Sequence, residues 1–194
     1  MLRIGNARQL QGRAIGAMIM TGFGALWLLL ALYAEQTLSA ANAAYVAAAA
    51  LAMACGAMYL YRLAARWPLT PRNPALGRAF GWIFAWESIA IFAAWTLLGP
   101  LHLSVYGISA TVGIVGLHFI PLARLFRYAP HYVTGALMTL WAAYSAVRVP
   151  AERMQDVAAL GAGVILLASA AFTLALAVFA INRSLRYTVR SEAV

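Results

Sequence analysis

The stretch AFGWIFAWESIAIFAAWTLL, residues Ala79–Leu98, decides the fold. It holds one charged side chain in twenty residues, and at 1.5 Å of rise per residue a helix of that length covers ~30 Å. That is the thickness of the hydrocarbon core of a bilayer, so the stretch predicts a transmembrane helix. Arg78 precedes it and Gly99-Pro100 follows, a basic flank on one side and a tight turn on the other. Its one charge, Glu87, then lies where an ionisable group is costly and is retained for a reason.

Outward from this segment the pattern repeats. Apolar runs at Ala14–Ala34, Ala43–Leu63, Leu103–Leu122, Tyr132–Val147 and Val157–Ile181 bring the predicted spans to six. The arginines alternate with them. Arg3, Arg8 and Arg13 precede the first span, and Arg62, Arg66, Arg72 and Arg78 lie between the second and third. Arg124 and Arg127 follow the fourth, and Arg183, Arg186 and Arg190 follow the sixth. The opposite flanks hold Arg148 and Arg153. Twelve of fourteen basic residues on one side predict, by the positive-inside rule, cytoplasmic N and C termini. The chain 1–194 reads as one integral membrane domain: an all-α, polytopic bundle of six transmembrane helices in a bacterial-type cytoplasmic (inner) membrane.

Composition agrees. The chain is 64% hydrophobic and 10% charged, with mean hydropathy +0.81, too apolar for a soluble domain of 194 residues. The net charge of +9 sits in short flanks of apolar runs and forms no interleaved basic patch. It therefore suits anionic lipid headgroups, with the bilayer as partner and nucleic acid excluded. The first run has about 20 apolar residues, longer than the 7–15 of a secretory signal, and predicts a retained helix. A single cysteine, Cys55, rules out an internal disulfide or a cysteine-based metal cluster.

The connections are too short for a soluble domain. The longest, Arg62–Arg78, carries Trp67-Pro68, Pro71 and Pro74 and predicts a turn-rich loop. Trp67, Trp82, Tyr45, Tyr128, Tyr132 and Tyr187 fall near span ends, as an aromatic belt requires. Gly16 and Gly22 in the first span match the spacing of Gly107 and Gly113 in the fourth, a faint signal for a three-plus-three inverted repeat. Gly22 with Gly24, Gly113 with Gly116, and Gly161 with Gly163 mark places where backbones can approach closely.

Depth counting selects the candidate site. Glu87 lies nine residues after Arg78 and His118 six before Arg124, so both sit roughly 9–14 Å from the basic flank. A short turn joins their spans, which makes antiparallel neighbours and a Glu87–His118 pair the expectation. Thr111 and Thr139 supply hydroxyls, and Trp86 an aromatic wall beside Glu87; Thr21, Cys55 and Thr173 lie at similar depth. Ser104, Thr111 and His118, spaced by seven, share one helix face.

Other chemistries fail on spacing. No phosphate-binding loop or H-E-x-x-H motif is present. Gly107-Ile108-Ser109-Ala110 resembles an intramembrane serine nucleophile segment only superficially, because His118 is on the same helix and too far along it to act as base. His102 and His131, at a turn and at the membrane edge, make a poor haem site, and no cofactor or metal is expected. The sequence thus suggests a small secondary transporter or channel for a small solute, cationic or proton-coupled, with Glu87, His118, Thr111, Thr139 and Trp86 at its binding site. At this size a homodimer is compatible. The alternative is a non-catalytic accessory, assembly or stress-related membrane protein in which Glu87 and His118 form a structural staple; an intramembrane enzyme comes third.

Overall fold

A computed structural model describes the backbone of residues 5–66 and 73–192 and the side chains of residues 7–66 and 73–181. Within them every long element is helical: α1 (Gly5–Ala34), α2 (Ala40–Ala64), α3 (Pro74–Leu98), α4 (Gly107–Phe126), α5 (Pro130–Arg148) and α6 (Met154–Glu192). Short 3-10 turns at Ser104–Tyr106 and Ala151–Arg153 lead into α4 and α6. The proline-rich segment Trp67–Arg72 and the side chains of Arg3, Arg183, Arg186, Tyr187 and Arg190 lie outside the described residues. Five helices are long and apolar enough to cross a membrane: α1, α2, α3, α4 with its leading turn, and α6 with its leading turn. α5 falls short on composition. Its nineteen residues include His131, Thr134, Thr139 and Ser145; the Thr134 and Ser145 hydroxyls meet Ser169 of α6 and Ser109 of α4.

Local chemistry sets the helix ends. Ser39 Oγ accepts from the Asn42 N–H at 3.1 Å, and Asn73 Oδ1 accepts from the Ala75 N–H at 3.0 Å; both are N-caps. Pro74 and Pro130 occupy first-turn positions, where their missing N–H costs nothing. α4 stops at Arg127, whose left-handed backbone (φ 49°) turns the chain toward α5.

Packing is antiparallel between chain neighbours and centres on two seams. In α1, Ala7, Leu10, Ala14, Ala17, Thr21 and Gly24 are buried at alternating three- and four-residue steps, the spacing of a coiled-coil seam, and Ala31 continues it seven residues on. They meet α6, where Ala159, Ala162, Leu166, Ala170 and Ala177 are buried. A Cβ placed on Gly163 would lie 2.7 Å from the Leu28 side chain and 2.9 Å from the Gly24 carbonyl oxygen, so the backbones touch there. The second seam joins α4 and α5, where a Cβ on Gly135 would meet the Gly116 carbonyl oxygen at 2.6 Å. Gly16 and Gly22 face open space while Gly107 lies under the Trp95 ring. The glycines that suggested an inverted repeat thus do unlike jobs.

The two remaining helices are peripheral. The second half of α2, through Leu60 and Ala64, packs against Leu10 and Ala14 of α1. α3 lies along α4 with none of its residues fully buried. Phe80 meets the Phe126 ring at one end, 6.1 Å between centroids, and Trp95 covers Gly107 at the other. Arg13, Arg62, Arg78, Arg124 and Arg127 gather at one end of the bundle by this antiparallel order. The opposite end is tied by Arg153, which reaches Glu35 at the end of α1 (3.0 Å) and Asp156 at the start of α6 (2.7 Å).

Candidate functional site

Between the two ends of the α3–α4 contact lies the one ion pair among the described residues that is set within apolar helices. Glu87 Oε2 is 2.9 Å from His118 Nδ1, and their side chains are 11% and 10% exposed. Antiparallel α3 and α4 bring the two to one level, as counting from Arg78 and Arg124 requires. The contact is close without being aligned: the in-plane direction of Nδ1 misses the carboxylate, so the atom makes no directed hydrogen bond. Charge-assisted bonds draw their strength from alignment, and this pair gives up part of it. What remains is a carboxyl group and an imidazole in contact and largely shielded from the surroundings.

Pro121 lies three residues beyond His118 and inside α4. A proline there removes the N–H that would otherwise bond the Leu117 carbonyl. Beside the pair, then, is a backbone oxygen deprived of its helical donor. Spacing alone made this legible, yet sequence reasoning passed it over.

The other predicted lining residues stand elsewhere. Trp86 is 65% exposed and shares the outward face of α3 with Trp82, so it does not wall the pair. Neighbouring positions on a helix differ by 100°; with Glu87 turned to α4, Trp86 is turned away. Thr111 donates to the Gly107 carbonyl (2.8 Å) and accepts from Trp95 Nε1 (3.0 Å), so its hydroxyl anchors the far end of the α3–α4 contact. Thr139 donates to the Gly135 carbonyl at 2.8 Å and sits at the Gly116 crossing of α4 and α5. Neither hydroxyl reaches the Glu87–His118 contact. Cys55 and Ser104 are exposed. Thr21 is buried in the α1–α6 seam, its hydroxyl without a partner among the described residues.

Two residues assigned to the membrane edge turn inward. Tyr128 is buried rather than part of an aromatic belt, and its hydroxyl donates to Thr173 Oγ1 at 3.2 Å. The Arg13 guanidinium lies over its ring, 5.2 Å from the centroid. His131 packs edge-on to Tyr128 (4.9 Å between centroids) and against Phe119 (5.4 Å). Phe119 in turn lies beside the His118 ring at 6.0 Å. A cluster of aromatic and titratable groups therefore runs from the buried pair toward the basic end. The signal available for it was the spacing of Tyr128 and His131 around Pro130, which a reading by depth alone had placed at the interface.

Comparison with known protein families, with curated proteins and with solved structures returned no match.

Proposed function

We propose that the chain crosses a bacterial-type cytoplasmic membrane six times, with both termini inside, and moves a small cationic or proton-coupled solute through Glu87 and His118. The twelve-to-two arginine split supports the orientation. Six crossings are supported by the partners of α5, which pairs with α6 from Thr134–Ser169 (2.9 Å between hydroxyls) to Trp141 Nε1–Val157 O (3.0 Å). A helix held on that line runs the same course as α6, and its polar groups are covered by protein instead of lipid.

The observation that carries the transport reading is the misaligned, nearly buried Glu87–His118 contact in a peripheral helix. A carboxylate within apolar helices is retained where it binds or carries charge. Because α3 rests on α4 alone over most of its length, a change of charge at Glu87 acts on the most weakly packed helix of the bundle. Protonation would turn Glu87 from an acceptor into a donor toward His118, and that exchange at the α3–α4 contact is the coupling a carrier needs. The same thin packing favours a second reading, in which the pair merely staples α3 to the bundle of an accessory protein.

Reconstitution in liposomes with a panel of monovalent and quaternary ammonium cations, under an imposed pH gradient, separates the two. In the transport reading one member of the panel moves in the wild type, and Glu87→Gln abolishes that movement or its pH dependence while melting as the wild type does. Flux and pH profile unchanged in Glu87→Gln would leave the staple.

A further inference from the structure

We propose that His131 is a second proton station, linking Glu87 and His118 to the basic end of the bundle, an inference that rests on the transport reading. The groups form a chain of contacts: Glu87 and His118 at 2.9 Å, then Phe119 against both the His118 ring (6.0 Å) and the His131 ring (5.4 Å). His131 is then held edge-on by Tyr128, itself fixed by Thr173 and covered by Arg13.

The transfer balances without any other reactant than water. The Glu87 carboxyl gives its proton to His118 Nδ1, and His118 releases the proton on Nε2 to a water at the edge of the Phe119 ring. That water passes a proton to the free nitrogen of His131, which gives one up at the basic end. The reverse order reloads Glu87.

Charges around His131 suit a station that does not hold its proton. Arg13 approaches from α1 through the Tyr128 ring and His118 from α4, while α6 offers the neutral Thr173; Arg124 and Arg127 close the end of α4. None of these is a carboxylate that would trap a histidinium. The apolar faces of Phe119 and Tyr128 keep other bases away, so the route is narrow.

The test is the rate at which Glu87 changes protonation after a pH jump on the basic side, followed by time-resolved infrared difference spectroscopy on the full chain in phosphatidylglycerol-containing bilayers. The carboxyl band is assigned by its loss in Glu87→Gln. His131→Phe keeps an aromatic ring between Phe119 and Tyr128 but cannot carry a proton. It is expected to leave the amplitude of the Glu87 signal and the melting temperature unchanged and to slow the signal on the order of a hundredfold or more, the low end of what a positioned acid–base group contributes. In His131→Gly, added imidazole should restore the rate and pyrrole, of similar shape but not basic, should not. An unchanged rate in His131→Phe, or equal rescue by pyrrole, overturns the relay and leaves the transport reading standing. Absence of any Glu87 band change in the wild type overturns both, and the two failures are thereby told apart.

Discussion

The α1–α6 seam and the α3–α4 seam are both long, antiparallel and apolar, yet they are built on opposite plans. In the first, Gly24 and Gly163 let the backbones touch, and Ala14, Ala17, Ala162 and Ala170 continue the close approach. Its strength is dispersion spread over many atoms, with nothing to titrate. In the second, three separate contacts hold a helix that has no fully buried residue: Phe80 on Phe126, Glu87 on His118, and Trp95 on Gly107 and Thr111. One of those three brings titratable side chains together. A bundle made this way has a closely packed half and a half held at separate points.

The comparison breaks first, and hardest, at the glycines. Gly163→Ala puts a methyl group 2.7 Å from Leu28 and 2.9 Å from a backbone oxygen, and is expected to cost ~1–3 kcal/mol by overpacking. Denaturant titration in detergent micelles would register it, and Gly22→Ala, which meets open space, is the matched control. A loss as large in Gly22→Ala would mean that the close approach of α1 and α6 is not what the substitution at Gly163 disturbs, since alanine is the better helix former.

A middle-sized effect is expected at the polar seam. Glu87→Leu takes the carboxyl group away from the nearly buried His118 imidazole, a loss of ~0.5–1.5 kcal/mol, whereas Glu87→Gln retains an acceptor and should stay close to wild type. Thermal melting of the two variants side by side checks the order. Equal stability of all three proteins would show that the pair contributes nothing to holding α3.

The smallest effect belongs to the tie at the far end. Glu35 and Arg153 are well exposed, so Glu35→Gln should leave the melting temperature unchanged within error at physiological salt. A clear loss that high salt reproduces in the wild type would mean that the α1–α6 seam also depends on charge, and the contrast would blur.

How much of this was legible beforehand follows the same division. Apolar length gave the helices, and the arginines gave a depth scale fine enough to place Glu87 opposite His118. The seam of α1 was also written in the chain, as small residues at Ala14, Ala17, Thr21, Gly24 and Ala31, although hydropathy averages conceal it. The rotation of α3 was not legible. Its apolar residues surround the helix, so no amphipathic face marks which side meets protein, and Trp86 could be placed beside Glu87 as easily as away from it. The partners of Thr111 and Thr139 were not legible for a related reason, since a helical threonine has a carbonyl of its own turn in reach. Tyr128 and His131 turn inward because α4 stops at Arg127 and Pro130 starts the next helix at once, tertiary geometry that composition does not contain.

The central claim is that Glu87 changes its protonation state within the folded bundle. An equilibrium infrared titration of the carboxyl band in bilayers, wild type against Glu87→Gln, addresses it without knowledge of the solute. The account predicts a reversible band that appears and disappears within the pH range the bundle survives and is missing from Glu87→Gln. A wild-type spectrum with no pH-dependent carboxyl signal at Glu87 would contradict it and leave the pair as a staple of α3.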